Sequence, residues 1–142
     1  MRKSLAVWLY AIGLLCTAGT AAAHHGFAAE YDGTKPIKLS GTITKFEWTN
    51  PHAWLYIDVK NDDGTVTNWA FEMSSPNVLF RKGWTRSTLK IGDGVTIDAY
   101  RARDGSHNAN AHGITMTSTG QVILAPEGPQ IGGTVQPGGT PK

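Results

Sequence analysis

The chain has 142 residues, enough for one domain and short for two, and 40% apolar content with five Trp excludes wholesale disorder. Lys and Arg number 13 against 11 Asp and Glu; without Arg2 and Lys3, which lie in a segment that reads as cleaved, each sign numbers 11, so no nucleic acid partner is expected. One Cys excludes an internal disulfide and a multi-thiolate zinc site.

Arg2 and Lys3 form a positive start, and Leu5 to Leu15 is an apolar run of signal-peptide length. That run is shorter than the roughly 20 residues that span a bilayer. Ala21, Ala22 and Ala23 fit the small-residue rule for cleavage. Residues 1–23 therefore read as a cleaved signal peptide. The expected product is a periplasmic protein beginning at His24, with no stable membrane anchor. Leu15 precedes Cys16 where a lipoprotein signal needs a small residue, so Cys16 is expected to leave with the signal.

Residues 24–36 read as a polar lead-in without a period. The organised domain spans 37–124, and residues 125–142 read as a disordered Pro/Gly-rich tail. From Ile37 to Ile43 the apolar positions are odd, with Gly41 among them; by Phe46 and Trp48 they are even. A change of phase inside one strand predicts a bulge or a sharp bend. Thr49, Asn50 and Pro51 break the run. From His52 to Lys60, Ala53, Leu55, Ile57 and Val59 share one face, and His52, Trp54, Tyr56 and Asp58 the other. Residues 61–64 (NDDG) predict a hairpin turn, and Thr65 to Met73 a third strand with Trp69, Phe71 and Met73 on one face.

The pattern then changes. Ser75 can cap a helix, Pro76 suits its first position, and Gly83 can end it. Lys90 to Tyr100 reads as a fourth strand, entered through Gly92, Asp93 and Gly94. Ala111 to Thr117 reads as a fifth, with a hairpin continuation through Gln121 to Leu124. Three strands, a short helix and two strands is the order of an all-β, OB-like five-stranded barrel. A small sandwich, or an open sheet packed by one helix, is the alternative.

The blocks HHGFAAEYD, KLSGTITKFEWTNPHAW, NWAFEMSSPN and RKGWTRSTLKIGD, in that order and spacing, resemble an uncharacterised family of exported bacterial proteins, domain of unknown function 6152. The resemblance spans Ala23 to Met116. It implies an exported domain with an OB-like fold. It implies no activity and carries no catalytic residues.

The sequence holds no HExxH, no phosphate-binding loop, no dinucleotide fingerprint and no Ser in a nucleophile elbow. Glu47, Asp58 and Glu72 read as surface strand charges. An enzyme is therefore not expected. Arg81, Lys82, Trp84 and Arg86 read as a solvated helix end. Trp54 and Tyr56 lie opposite the core face of their strand, where OB barrels hold ligands, and are the candidate recognition surface. The reading is an exported, non-catalytic binding or accessory module for a small molecule, a glycan or an exported protein partner.

The alternative is a periplasmic copper-binding protein. Cleavage after Ala23 would leave His24 with a free amine beside its imidazole, a chelating pair that no internal His can form. Nitrogen donors of this kind suit Cu(II). His25 follows, and His52 or His112 would add an imidazole if the lead-in folds back over the barrel. His107 lies in a loop, where a solvated imidazole is expected.

Overall fold

The structure is a computed structural model and describes residues 26–125. The expected signal segment, His24, His25 and nearly all of the Pro/Gly-rich tail lie outside the described residues. A single helical turn, α1 (Phe27–Glu30), leads directly into β1 (Tyr31–Glu47). There follow β2 (Trp54–Lys60), β3 (Val66–Glu72), the helix α2 (Pro76–Arg81), β4 (Gly94–Ala102), β5 (Asn108–Met116) and the short β6 (Val122–Leu124). β1 starts six residues before Ile37, within the stretch that sequence assigns to the lead-in. Residues 31–36 lack alternation because they pair only along β4, across another register shift between Tyr31 and Pro36.

The strands close into a ring. β1 pairs with both β2 and β4, β2 pairs with β3, and β4 pairs with β5, all antiparallel. A parallel pairing of β3 with β5 closes the barrel. This is the OB topology, with α2 between β3 and β4. β1 serves two neighbours by bending. Its first half lies along β4 and its second half along β2, and the register shifts between Ile43 and Lys45. That shift falls where the apolar phase changes in the sequence. The bend also brings β1 close to β2: a Cβ on Gly41 would sit 2.3 Å from the Asp58 carbonyl oxygen. Only a residue without a side chain fits there.

The core is the inward face of the ring. Leu55, Ile57, Val59, Phe71, Val95 and Ile97 are all buried, joined by Ile43 and Ile114. Burying each large aliphatic contributes about 1.5–3 kcal/mol, which is what holds so short a sheet closed. α2 forms where sequence places it. The Ser75 hydroxyl accepts from the Val78 N–H at 3.4 Å, and Gly83 follows with a φ of 85°. The helix lays Leu79 into the core, and Trp84 beyond it is buried at 3% exposure. Trp84 is thus a core residue and not part of a solvated helix end; Arg81 and Arg86 are exposed. Trp69 stacks on Phe71 with ring centres 6.2 Å apart, and Trp48 meets Phe46 edge-on at 5.8 Å against the core.

Candidate ligand-binding face

On β2 the alternation puts Trp54, Tyr56 and Asp58 on the outside of the barrel, each partly buried, opposite buried Leu55, Ile57 and Val59. Across β3 their partners are Glu72, Ala70 and Asn68. Across β1, Trp54 faces Glu47 and Tyr56 faces Lys45. These neighbours organise Tyr56. Its hydroxyl donates to Glu47 at 2.9 Å, and the Lys45 ammonium lies 5.1 Å from its ring centre. Lys45 and Glu47 pair at 2.5 Å, and that contact, followed by the Tyr56 hydroxyl, holds the Glu47 carboxyl below its ordinary range. Burial is the first cause that raises the Tyr56 hydroxyl. Trp54 is different. Among the described residues its ring has no aromatic or cationic partner and its indole N–H has no acceptor.

Glu72 has the parity of a surface residue, yet it is buried at 6% exposure. It is therefore not the surface strand charge that alternation predicts. Two side chains from elsewhere in the chain cover it. The Tyr31 hydroxyl, from the start of β1, donates to Oε2 at 2.5 Å. The Nδ1–H of His52, from the β1–β2 connection, donates to Oε1. A buried carboxylate is costly unless its lone pairs are met, and here each oxygen has a donor. Tyr31 is itself buried, and its hydroxyl is pushed up to about 12, first by burial and then by the charges of Glu30 and Asp104. It is a fixed donor at any ordinary pH.

The carboxylate also orients the imidazole. With Nδ1 engaged by Glu72, the free ring nitrogen of His52 is Nε2, on a side chain that is 47% exposed. This is the arrangement by which proteins fix a His tautomer. His52 precedes Trp54, the first residue of β2, by two positions, and through Glu72 it is tied to the β3 residue that pairs with Trp54.

His112 lies elsewhere. Its ring stacks on Tyr100 at 4.4 Å, and both ring nitrogens are buried without a hydrogen-bond partner among the described residues. Burial holds its pKa down, with Asp98 opposing. Phe27 of α1 covers this cluster, meeting Tyr100 edge-on at 5.7 Å and Tyr31 at 5.7 Å. The described part of the lead-in thus does fold over the barrel. His107 is exposed, with its ring 5.1 Å from Trp69. Among the described residues, no three His, Cys, Asp or Glu converge as a metal site, and no helix is long and apolar enough to cross a membrane.

Sequence reasoning singled out Trp54, Tyr56, His52 and His112. It missed Tyr31 and misplaced Glu72. The available signal was a lone acid within an otherwise apolar strand end, Phe71-Glu72-Met73.

A family described as a family of unknown function (DUF6152) matches residues 11–114. No curated protein matches the chain. Among solved structures, the mitochondrial single-stranded DNA-binding protein of S. cerevisiae is similar at 15% identity. That match covers 58% of this chain and 93% of the other, with a TM-score of 0.46. A small single-stranded DNA-binding protein from Streptomyces coelicolor is similar at 16% identity, over 61% of this chain and 95% of the other, with a TM-score of 0.39. At these identities the likeness concerns the fold.

The comparison corrects one expectation. Nucleic acid was excluded as a partner on net charge, and these neighbours are DNA-binding proteins. Net charge is a poor ground for that exclusion. Single strands are held by local positive charge and by rings on which bases stack, and neither is visible in a chain-wide sum.

Proposed function

The chain belongs to that family of unknown function, and we propose that it is an exported, non-catalytic binding module that takes its ligand on the outer face of β2 and β3. The observation that carries this reading is Trp54, an outward indole with neither a ring partner nor a hydrogen-bond partner among the described residues. Two residues before it in the chain, His52 offers a ring nitrogen whose orientation Glu72 holds. An indole face and one fixed polar atom suit a sugar or another small ring bearing hydroxyl groups. Both oxygens of Glu72 are taken up by Tyr31 and His52. It positions the imidazole and is not free to exchange a proton with a ligand.

The test is titration of the protein with soluble oligosaccharides (maltotriose, cellotriose and chitotriose), followed by Trp fluorescence and calorimetry. Saturable binding that Trp54→Ala abolishes and His52→Ala weakens is expected. Binding equal in the wild type and Trp54→Ala, or no binding of any of the three, refutes the reading for this ligand class.

A second reading, Cu(II) held at a mature N-terminus, is favoured by the packing of Phe27. Its ring lies on Tyr100, which stacks on His112. His25 and His24 precede Gly26 by one and two residues, and one residue spans about 3.8 Å between Cα atoms. In this reading the His24 amine and imidazole chelate the metal after cleavage, and His25 and His112 complete the nitrogen set. Cu(II) titration with electron paramagnetic resonance is run on the processed protein, on a form with one extra residue before His24, and on His24→Ala. The first form is expected to differ from the other two; identical affinity and spectra in all three eliminate the chelate.

A further inference from the structure

Among the described residues, Arg101 is a cation without a counter-charge. It lies near the end of β4 with its guanidinium 5.6 Å from the Trp69 ring centre. One terminal nitrogen donates to the Gly105 carbonyl at 3.1 Å. Its Nε is buried and has no hydrogen-bond partner, and among the described residues Arg101 makes no ion pair. A charge drawn partly out of water normally has a partner of opposite sign.

The surroundings sharpen the point. Arg101 lines a cavity of about 340 Å³ together with Asp32, Lys35, Ala102, Arg103 and Gly105. Three cations thus share the cavity with one carboxylate. Asp32 offsets one of the three charges, by ion pairs without close hydrogen bonds. Its Oδ1 accepts from the Thr34 N–H at 3.1 Å and the Thr34 hydroxyl at 2.7 Å. Its Oδ2 meets Lys35 only at 3.6 Å and Arg103 at 3.8 Å, beyond good hydrogen-bond length. Asp104, on the neighbouring turn, is turned toward Ser106, accepting from its N–H at 2.9 Å and its hydroxyl at 2.6 Å. Arg103 is anchored from behind, since its Nε donates to the Ala28 carbonyl at 2.9 Å and its backbone N–H to the Glu30 carbonyl at 2.9 Å.

We propose that this cavity binds a phosphate group between Lys35, Arg101 and Arg103. Three cations against one carboxylate leave two positive charges, which match a phosphate dianion. Two guanidinium groups held by Trp69 and by the lead-in backbone supply directed N–H donors, the geometry in which Arg recognises phosphate. Lys35, a lining residue that is 72% exposed, adds a movable point charge. The site is separate from the Trp54 face and does not depend on it.

The full chain is titrated at constant ionic strength with inorganic phosphate, pyrophosphate and a short oligothymidylate. Calorimetry and the thermal unfolding midpoint are the readouts. Saturable binding that raises the midpoint is expected, because a ligand that binds only the folded state stabilises it. Arg101→Gln is expected to weaken binding at least about tenfold. Lys35→Gln, on an exposed side chain, keeps the ligand-free midpoint and still weakens binding, which covers the case in which Arg101→Gln fails to fold. Binding of pyrophosphate without oligothymidylate identifies a small solute as the source of the phosphate. Oligothymidylate binding that is lost in Lys35→Gln identifies a strand. No binding of all three probes, or equal binding in the wild type and both variants, overturns the proposal.

Discussion

The contact between Tyr31 and Glu72 joins the start of β1 to the end of β3 across 41 residues, and it can be weighed by a double-mutant cycle. The two side chains are 4% and 6% exposed, so neither has water to fall back on. Tyr31→Phe removes only the hydroxyl and leaves the ring against Phe27, 5.7 Å away. A hydrogen bond to a charged group contributes about 1.5–3 kcal/mol. The desolvation of the hydroxyl, which the variant avoids, offsets part of that. Glu72→Gln keeps the shape but replaces one acceptor oxygen by a donor, between two groups that both donate. Tyr31→Phe should therefore be costly in the wild type and much less so in the Glu72→Gln background. The expected coupling is about 1–2 kcal/mol. Urea unfolding of the four proteins at neutral pH measures it, with unchanged slopes as the check that the same surface unfolds in each. Additivity within about 0.3–0.5 kcal/mol would mean that the contact between Tyr31 and Glu72 contributes nothing specific.

Gly41→Ala should destabilise the barrel by about 1–3 kcal/mol or more, because its Cβ would lie 2.3 Å from a backbone oxygen of β2 that has no rotamer with which to escape. A thermal midpoint equal to that of the wild type would show that β1 and β2 separate freely at the bend. His112 makes stability pH-dependent. Burial holds its folded pKa below the ordinary 6.5, so the unfolded chain takes up a proton first. Its contribution is complete above pH 6.5 and is lost as pH falls through the folded value. Denaturant unfolding from neutral pH downward should show His112→Gln losing less stability than the wild type, and parallel curves would refute this.

Much of the barrel was legible locally. Residues 53–59 alternate because one face of β2 meets the core, and the phase change before Phe46 marks the shift at Ile43 and Lys45. Ser75, Pro76 and Gly83 bound a helix by their own backbone and hydrogen-bonding preferences, and the helix is found between them. These features depend on residues a few positions apart, so a linear reading reaches them. The start of β1 at Tyr31 was not legible, because residues 31–36 are ordered by β4, about 65 residues later, and not by a pattern of their own. Trp84 looked like part of an exposed basic stretch for the same reason: its place in the core depends on elements distant in sequence.

The sequence by itself determined the class of fold, the bend in β1, the position of the helix and the outward face that carries Trp54 and Tyr56. Each follows from period, turn chemistry or capping, which act over short stretches of chain. Only the tertiary structure decided that Glu72 is buried, that Tyr31 and His52 meet it, and that Arg101 has no counter-charge among the described residues. Alternation assigns a residue to a face of the sheet but is silent about what covers that face. The cover is supplied by ring closure and by the lead-in lying across the barrel, contacts between residues 20 to 75 positions apart that leave no mark on either partner's local sequence.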